Sequence, residues 1–345
     1  MGHPAPSAHI LPMSTSTKQQ GFGSSKSQGA SVQPTASFFE DPLRLTTVVV
    51  PLDFSGESVR ALDFARPLAS RFGARLHLVH VHEGAHQFST VATSPVLWSE
   101  AEAKCHLADE VELAFGTRPQ HEDCHLRLGK PFREIIATAE ELDADLIVIA
   151  THGHSGFKRL TLGSTTEEVI RHARCPVLVV RELTRGPIKT AAEGIVLQKI
   201  LVPVDLSDCA REGARYASVF ATAVGADLLL MHVVHPPDYM AATRTAADPN
   251  WSQLLETAIL EAEDKLDEMV NSLPLIGISA ETQVEVGLPV ARLTEASARP
   301  DVDMIITSTH GYGRLRHALL GSVAEQLVRT AQCPVLVVPS HLREC

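Results

Sequence analysis

The chain has 345 residues, of which 44% are hydrophobic and 21% charged, and its formal net charge is −11 at pH 7. This length predicts about two domains, and the acidic balance argues against a general nucleic-acid-binding protein, which needs a basic surface. No apolar run approaches the roughly 18 residues that a membrane-spanning helix requires. We therefore expect a soluble, cytoplasmic globular protein with no membrane partner, and six widely spaced cysteines without a CxxC pair agree with that compartment.

Two segments lack the composition of a folded domain. Residues 1–42 are rich in Ser, Gly, Gln, Pro and Thr and poor in aliphatic residues, which predicts a disordered tail. Residues 182–196 carry two glycines and a proline and are typical of a linker. The folded domains are therefore expected at residues 43–181 and 197–340.

Strand and helix patterns alternate along the first of these domains. The predicted strands begin near residues 45, 74, 122, 146 and 175, and the predicted helices cover 57–72, 97–115, 131–142 and 165–174. Pro67 falls inside the first helix, where we expect a kink. Such alternation predicts a parallel sheet with helices on both faces and a ligand crevice at the carboxyl ends of the strands.

The second domain repeats the first. Asp205 follows Asp53 by 152 residues, and Gly321 follows Gly163 by 158. The difference of six residues arises between the second strand and the end of the third, where a loop and a helix tolerate insertions. The chain is therefore a duplicated domain.

The segment after the fourth strand of each domain resembles an anion site. It has the pattern Gly-x9-Gly-Ser between an apolar strand and a helix start, where backbone N–H groups and the helix dipole favour phosphate. A glycine required only for steric reasons is the alternative for one copy, but two copies with one spacing favour phosphate. It is neither a P-loop with its lysine nor a GxGxxG dinucleotide loop. The predicted N–H donors are Gly163, Ser164, Thr165, Gly321, Ser322 and Val323.

Several polar residues near these loops have two interpretations. Asp53 and Asp205 either contact a ligand or act as turn or N-cap carboxylates. His152 and His310 either contact phosphate or form local hydrogen bonds that shape the loop. His80 and His82 share a strand face, so a metal pair is an alternative to the more common satisfied or solvated histidines.

These motifs resemble the universal stress protein family. The resemblance covers about residues 43–181 and 197–340 and rests on features that recur in both domains. They are Pro-x-Asp-x-Ser after the first strand, His-Val ending the second, the Thr-His-Gly loop, Gly-x9-Gly-Ser and the closing Cys-Pro-Val-Leu-Val-Val. The resemblance implies a Rossmann-like α/β fold of two tandem, doubly wound, parallel five-stranded sheets with strand order 3-2-1-4-5.

The resemblance also implies a site for ATP, with Mg or Mn. ATP-binding members use a Gly-x2-Gly-x9-Gly-Ser/Thr loop, whose first glycine is replaced here by Ala150 and Ser308. By resemblance, the site aspartates contact the nucleoside or its metal, and Val81 and Val233 meet adenine through backbone groups. The candidate cofactor-binding residues are Pro51, Asp53, Val81, Ala150, His152, Gly153, Gly163, Ser164, Thr165, Pro203, Asp205, Val233, Ser308, His310, Gly311, Gly321, Ser322 and Val323.

Three functions are compatible with this sequence. The favoured one is an ATP-binding stress-response or signalling protein, in which nucleotide occupancy modulates self-association or partner binding. The alternatives are a slow ATPase or phosphotransferase, and an interaction scaffold that does not bind nucleotide. No catalytic residue is assigned, because no paired base and nucleophile recurs in both domains apart from the aspartates.

The fifth strands provide a further expectation. Residues 177–180 and 335–338 are apolar and would be exposed edges in isolated domains. Members of the family commonly pair through this strand, so we expect the two domains to pair within one chain. A homodimer of two chains is left open.

Overall fold

A computed structural model describes residues 17–19, 43–82, 105, 107–109, 111–113, 123–151, 162–181, 189–191, 194–235, 249–309 and 321–339. In the first half the elements are β2 (Thr47–Pro51), α1 (Gly56–Phe72), β3 (Arg75–His82), β4 (Cys124–Leu128), α2 (Pro131–Glu141), β5 (Leu146–Ala150), α3 (Ser164–His172) and β6 (Val177–Val180). In the second half they are β9 (Lys199–Pro203), α4 (Asp208–Val224), β10 (Asp227–Val234), α5 (Pro249–Ser272), β11 (Ala280–Val286), α6 (Pro289–Ser297), β12 (Val302–Ser308), α7 (Ser322–Thr330) and β13 (Val335–Val338). Three short strands lie outside these units: β1 (Thr17–Gln19), β7 (Lys189–Ala191) and β8 (Gly194–Val196).

The sheet confirms the predicted strand order. Five parallel strands in each half follow the order 3-2-1-4-5, which is β4-β3-β2-β5-β6 in one half and β11-β10-β9-β12-β13 in the other. The strands β6 and β13 pair antiparallel, with Leu178 opposite Leu336. The two predicted sheets are therefore one continuous sheet, and the halves pair through their fifth strands as expected.

Helices cover both faces of this sheet. Alternate residues of each strand enter one of two apolar cores, as Val48 and Val49 of β2 illustrate. The helices α1, α4 and α5 pack into the first core, and α2, α3, α6 and α7 into the second. Each core extends through both halves, so the halves are joined by apolar packing as well as by the strand pair.

The first helices of the two halves begin and end alike. The side chains of Ser55 and Ser207 cap α1 and α4. Gly73 and Gly225 end these helices with φ of 68° and 74°, a left-handed conformation that glycine adopts without steric cost. The helix α1 continues through Pro67 to Phe72.

Further contacts join the two halves on both faces of the sheet. The rings of Phe72 in α1 and Phe220 in α4 lie 6.4 Å apart between centroids. On the other side, the buried Arg181 donates a hydrogen bond of 2.8 Å to the carbonyl of Ala331, at the end of α7. An arginine at the negative end of a helix dipole is a favourable arrangement.

The structure differs from the sequence expectations in two connecting segments. Three residues of the predicted disordered tail form β1, which pairs antiparallel with β11 and covers an edge whose backbone groups would lack strand partners. In the predicted linker, β7 and β8 form a two-stranded antiparallel hairpin, and β8 packs on α1. In the described part of the chain, no helix combines the length and apolarity needed to cross a bilayer.

Candidate functional site

Each half has a crevice where its strand order reverses. In the first half, β2 and β5 are neighbours, but the connection from β2 leads to β3 on one side and that from β5 leads to β6 on the other. The strands β9 and β12 have the same arrangement in the second half. Ligands of open α/β sheets bind beyond the carboxyl ends of such strands. Because β6 and β13 run antiparallel, the strands of the two halves point in opposite directions. The two crevices therefore open at opposite ends of the strands.

The predicted aspartates form the same turn in both crevices. The Oδ1 atom of Asp53 accepts hydrogen bonds from the amide of Ser55, at 3.0 Å, and its hydroxyl, at 2.6 Å. Asp205 accepts the same two bonds from Ser207, at 3.0 and 2.5 Å. The turn interpretation is therefore correct for one oxygen of each carboxylate, and this turn fixes where the carboxylate lies.

The residue after each aspartate has an unusual backbone conformation. Phe54 has φ of 62° and Leu206 has φ of 63°. A side chain other than glycine in this left-handed region costs about 1 to 3 kcal/mol, and such residues cluster at functional sites. Sequence reasoning missed this feature, because neither phenylalanine nor leucine favours the conformation.

The second strand extends past the first beside each aspartate turn. The β2–β3 ladder ends where Pro51 lies opposite Val79, so Val81 lies two residues beyond it on β3. Val233 lies equally far beyond Met231, which is opposite Pro203. Each of β3 and β10 thus has a backbone segment beside the crevice that extends past the end of its partner strand. Val81 and Val233, for which the resemblance implies contact with adenine, lie in these segments.

The glycine before the last helix of each half contradicts one detail of the predicted phosphate loop. The amide of Gly163 donates to the carbonyl of the buried Thr151, at 2.8 Å, and the amide of Gly321 donates to Thr309, at 2.7 Å. These N–H groups close the base of the loop and are not directed to a ligand. The sequence did not identify the two threonines, although the Thr-His-Gly motif contains them.

The helices that follow these glycines begin differently from α1 and α4. No described side chain forms a capping hydrogen bond at Gly163 or Gly321, the N-cap residues of α3 and α7. The predicted donors Ser164, Thr165, Ser322 and Val323 lie in the first turns of these helices, where backbone amides have no intrahelical partner. In the first half, the Thr166 hydroxyl donates to the Ala150 carbonyl at 2.7 Å and fixes α3 against the end of β5.

The residues that replace the first glycine of the loop pattern pack against the helix below. A Cβ atom placed on Gly213 of α4 would lie 3.3 Å from the Cβ of Ser308, so the serine side chain faces that helix. Ala61 is the equivalent of Gly213 in α1, and Ala150 is the equivalent of Ser308 at the end of β5, and both alanines are buried. The second half thus has a serine and a glycine at the two positions where the first half has alanine.

The described residues do not bring three potential metal ligands of the His, Cys, Asp and Glu types together. Of the histidine pair considered as a metal site, His82 is exposed and His80 bonds the Leu52 carbonyl through Nδ1, at 2.7 Å. His80 is thus a satisfied histidine. The candidate residues His152, Gly153, His310 and Gly311 lie outside the described residues.

The strand order and the two switch points define a tandem, doubly wound α/β protein. The model of the universal stress protein family matches residues 45–181 and 197–339. The chain therefore belongs to the universal stress protein family.

Two relatives match nearly the whole chain. A universal stress protein of Mycobacterium tuberculosis is 24% identical over 313 residues, covering 86% of this chain and 98% of the relative. The crystal structure of a universal stress protein from Archaeoglobus fulgidus, 19% identical, covers 86% of this chain and 97% of that chain with a TM-score of 0.53. A shorter universal stress protein solved in complex with cAMP, 25% identical, covers 40% of this chain and 98% of that chain, with a TM-score of 0.29.

Proposed function

We propose that this chain binds ATP at both crevices, in the domains 43–181 and 197–340, and acts in stress response or signalling. The observation that carries the proposal is the recurrence of one arrangement at both switch points. In each, an aspartate turn held by a serine lies across the crevice from a helix whose N-cap is glycine. Uncapped first-turn amides favour phosphate, and the strand edge at Val81 or Val233 suits the adenine ring.

A divalent metal ion fits this arrangement through its ligand chemistry. Mg²⁺ is usually bound by one or two carboxylates together with the phosphates of a nucleotide, and not by a cage of protein ligands. Asp53 and Asp205 each supply one carboxylate at the carboxyl end of a first strand. When bound, Mg or Mn would neutralise phosphate charge that the acidic chain does not neutralise itself.

The first test is mass spectrometry of nucleotide released on denaturing the purified protein, supported by calorimetric titration with ATP and Mg²⁺. We expect two nucleotides per chain. Ser164→Glu should remove the first-half site and Ser322→Glu the second, since each places a negative charge at an exposed helix start. Glutamate favours a helix N-terminus, so folding should be retained while phosphate is repelled. Ser252→Glu, at an exposed position in the first turn of α5, is the matched control.

The titration separates ATP binding from the two alternatives. No affinity for ATP in either half would favour the interaction scaffold. ATP hydrolysis that co-purifies with the protein and disappears in an Asp53→Ala/Asp205→Ala double variant would favour the slow ATPase or phosphotransferase.

Modulation of association is a separate part of the proposal. Sedimentation velocity of the full chain with and without ATP and Mg²⁺ should show a change in the fraction of dimer. The Ser164→Glu/Ser322→Glu double variant should not respond. Identical sedimentation of the wild type in both conditions would contradict modulation of self-association, and ATP binding would still stand.

A further inference from the structure

One histidine in each half binds the backbone beside the candidate site. The Nδ1 atom of His80 lies 2.7 Å from the carbonyl of Leu52, and that of His232 lies 2.7 Å from the carbonyl of Val204. A carbonyl oxygen only accepts hydrogen bonds, so Nδ1 carries the proton in both histidines. In the neutral imidazole this fixes the tautomer, with the lone pair on Nε2.

The bonded carbonyl directly precedes the site aspartate. Leu52 is buried and its amide donates to the Val79 carbonyl at 2.8 Å, so the histidine adds a second link between the end of β2 and β3. Val204 is similarly bonded to Met231 at 2.9 Å. The residue on the other side of the aspartate is the strained Phe54 or Leu206.

In the first half the imidazole also contacts the strained residue. The ring centroids of His80 and Phe54 are 4.7 Å apart, within the range of a favourable aromatic pair. One side chain thus holds both neighbours of Asp53, the carbonyl before it and the ring after it. A left-handed residue persists only where its surroundings over-determine it, and the histidine is a major part of those surroundings.

We propose that His80 and His232 are positioning residues, which hold the aspartate turns in the geometry that receives a nucleotide. The inference rests on the proposed function for the nucleotide, but the effect on the turn does not depend on it. The histidine acts through the backbone and does not touch the ligand. The recurrence of the same bond in both halves, with different residues at 54 and 206, separates this role from the aromatic contact.

Two substitutions of His80 separate its donor from its ring. His80→Phe retains the ring but lacks the N–H donor, whereas His80→Asn retains a donor at the distance of Nδ1 but lacks the ring. His82→Phe, on the exposed end of the same strand, is the matched control. Each is made in the full-length Ser322→Glu chain, so that ATP titration reports the first half alone.

Two measurements test the role. In nucleotide-free protein, the amides of Ser55 and Ser58, which donate within the turn, should exchange about tenfold faster in His80→Phe, the change expected on losing one partly buried hydrogen bond. Affinity for ATP should fall about tenfold in the same variant. His80→Asn should restore both substantially, and His82→Phe should change neither.

Each other outcome overturns part of the inference. Unchanged exchange in His80→Phe would show that the histidine does not hold the turn. Faster exchange with unchanged ATP affinity would show that the turn does not position the ligand. If the Ser322→Glu parent and the wild type both lack ATP affinity, the proposed function fails, and exchange alone decides whether His80 holds the turn.

Discussion

In both halves the residue after the site aspartate has a left-handed backbone, yet it is Phe54 in one half and Leu206 in the other. The first glycine of the loop pattern is likewise replaced by Ala150 in one half and Ser308 in the other. By contrast, the residues whose polar atoms form the turn are identical: aspartate, serine and histidine at equivalent places. The comparison teaches that hydrogen bonds define this crevice and that the packing residues around it have room to differ.

The strand pair between the halves should be equally important to both. Leu178 and Leu336 face each other in β6 and β13 and are 0% and 1% exposed. Truncation of either to alanine should lower the free energy of unfolding by about 2 to 5 kcal/mol, because a cavity forms in a core that both halves share. Urea unfolding checks this, with Leu128→Ala as the control, since Leu128 is 69% exposed. A large cost for only one of the two leucines would show that the pairing is not symmetric in energy.

The packing pair of the second half should resist conversion to that of the first. Gly213→Ala would place a Cβ atom 3.3 Å from that of Ser308. We expect a net cost of about 1 kcal/mol, since overpacking outweighs the better helix propensity of alanine. Adding Ser308→Gly removes the Cβ atom that the new methyl group meets and should recover about 0.5 kcal/mol or more in a double-mutant cycle of thermal unfolding. Purely additive effects would mean that the two positions do not pack as a pair.

Much of this arrangement was predictable from the sequence, and the exceptions have a common cause. The alternating strands and helices and the turn interpretation of the aspartates were within reach, because apolar runs, helix signals and the Pro-x-Asp-x-Ser repeat are local patterns. The strand order was an implication of the family resemblance and not of these patterns. The bond from Gly163 to Thr151 and the contact of Gly213 with Ser308 were not predictable, because they depend on which atoms meet once distant segments pack. The hairpin in the predicted linker was missed because its strands are only three residues long.

The second strands differ in a way that pH should reveal. His77 is buried and bonded to His125 at 3.0 Å, whereas the equivalent residue of the second half is Leu229. Burial lowers the pKa of His77, opposed by the nearby Asp123 and assisted by Arg75. As pH falls below about 6.5, His77 is therefore protonated in the unfolded chain before it is protonated in the folded chain. The free energy of unfolding declines as pH falls from about 6.5 towards the lower pKa of the folded state.

Replacing His77 with leucine, the residue at the equivalent position of the second half, should remove its contribution to the loss of stability in acid. The stability of His77→Leu should depend less on pH below about 6.5 than that of the wild type. Urea unfolding between pH 7 and pH 5 measures the difference. His82→Leu, at the exposed end of the same strand, is the control. A wild-type slope retained in His77→Leu would assign the pH dependence to other groups.

The smallest expected effect concerns charges between the helices α3 and α7. Arg329 of α7 bonds Glu325 of its own helix at 2.7 Å and lies 3.7 Å from Glu167 of α3. All three side chains are about a quarter to a third exposed, so the cross-helix coupling should be only about 0.2 to 1 kcal/mol and should weaken with salt. A double-mutant cycle of Arg329→Gln with Glu167→Gln at low and high salt measures it. A coupling that salt does not change would indicate a more buried pair.

The antiparallel pairing of the fifth strands also limits how the protein can respond to a ligand. In a dimer of separate chains, occupancy of a site could act by changing the dissociation of the pair. Here the partner half is attached covalently through residues 181–198, between β6 and β9, and a short covalent link between two modules gives effective concentrations in the millimolar range. Separation of the halves is therefore strongly opposed at any protein concentration. Under the proposed function, a ligand bound at either crevice would therefore act through the shared sheet, without separating the two halves.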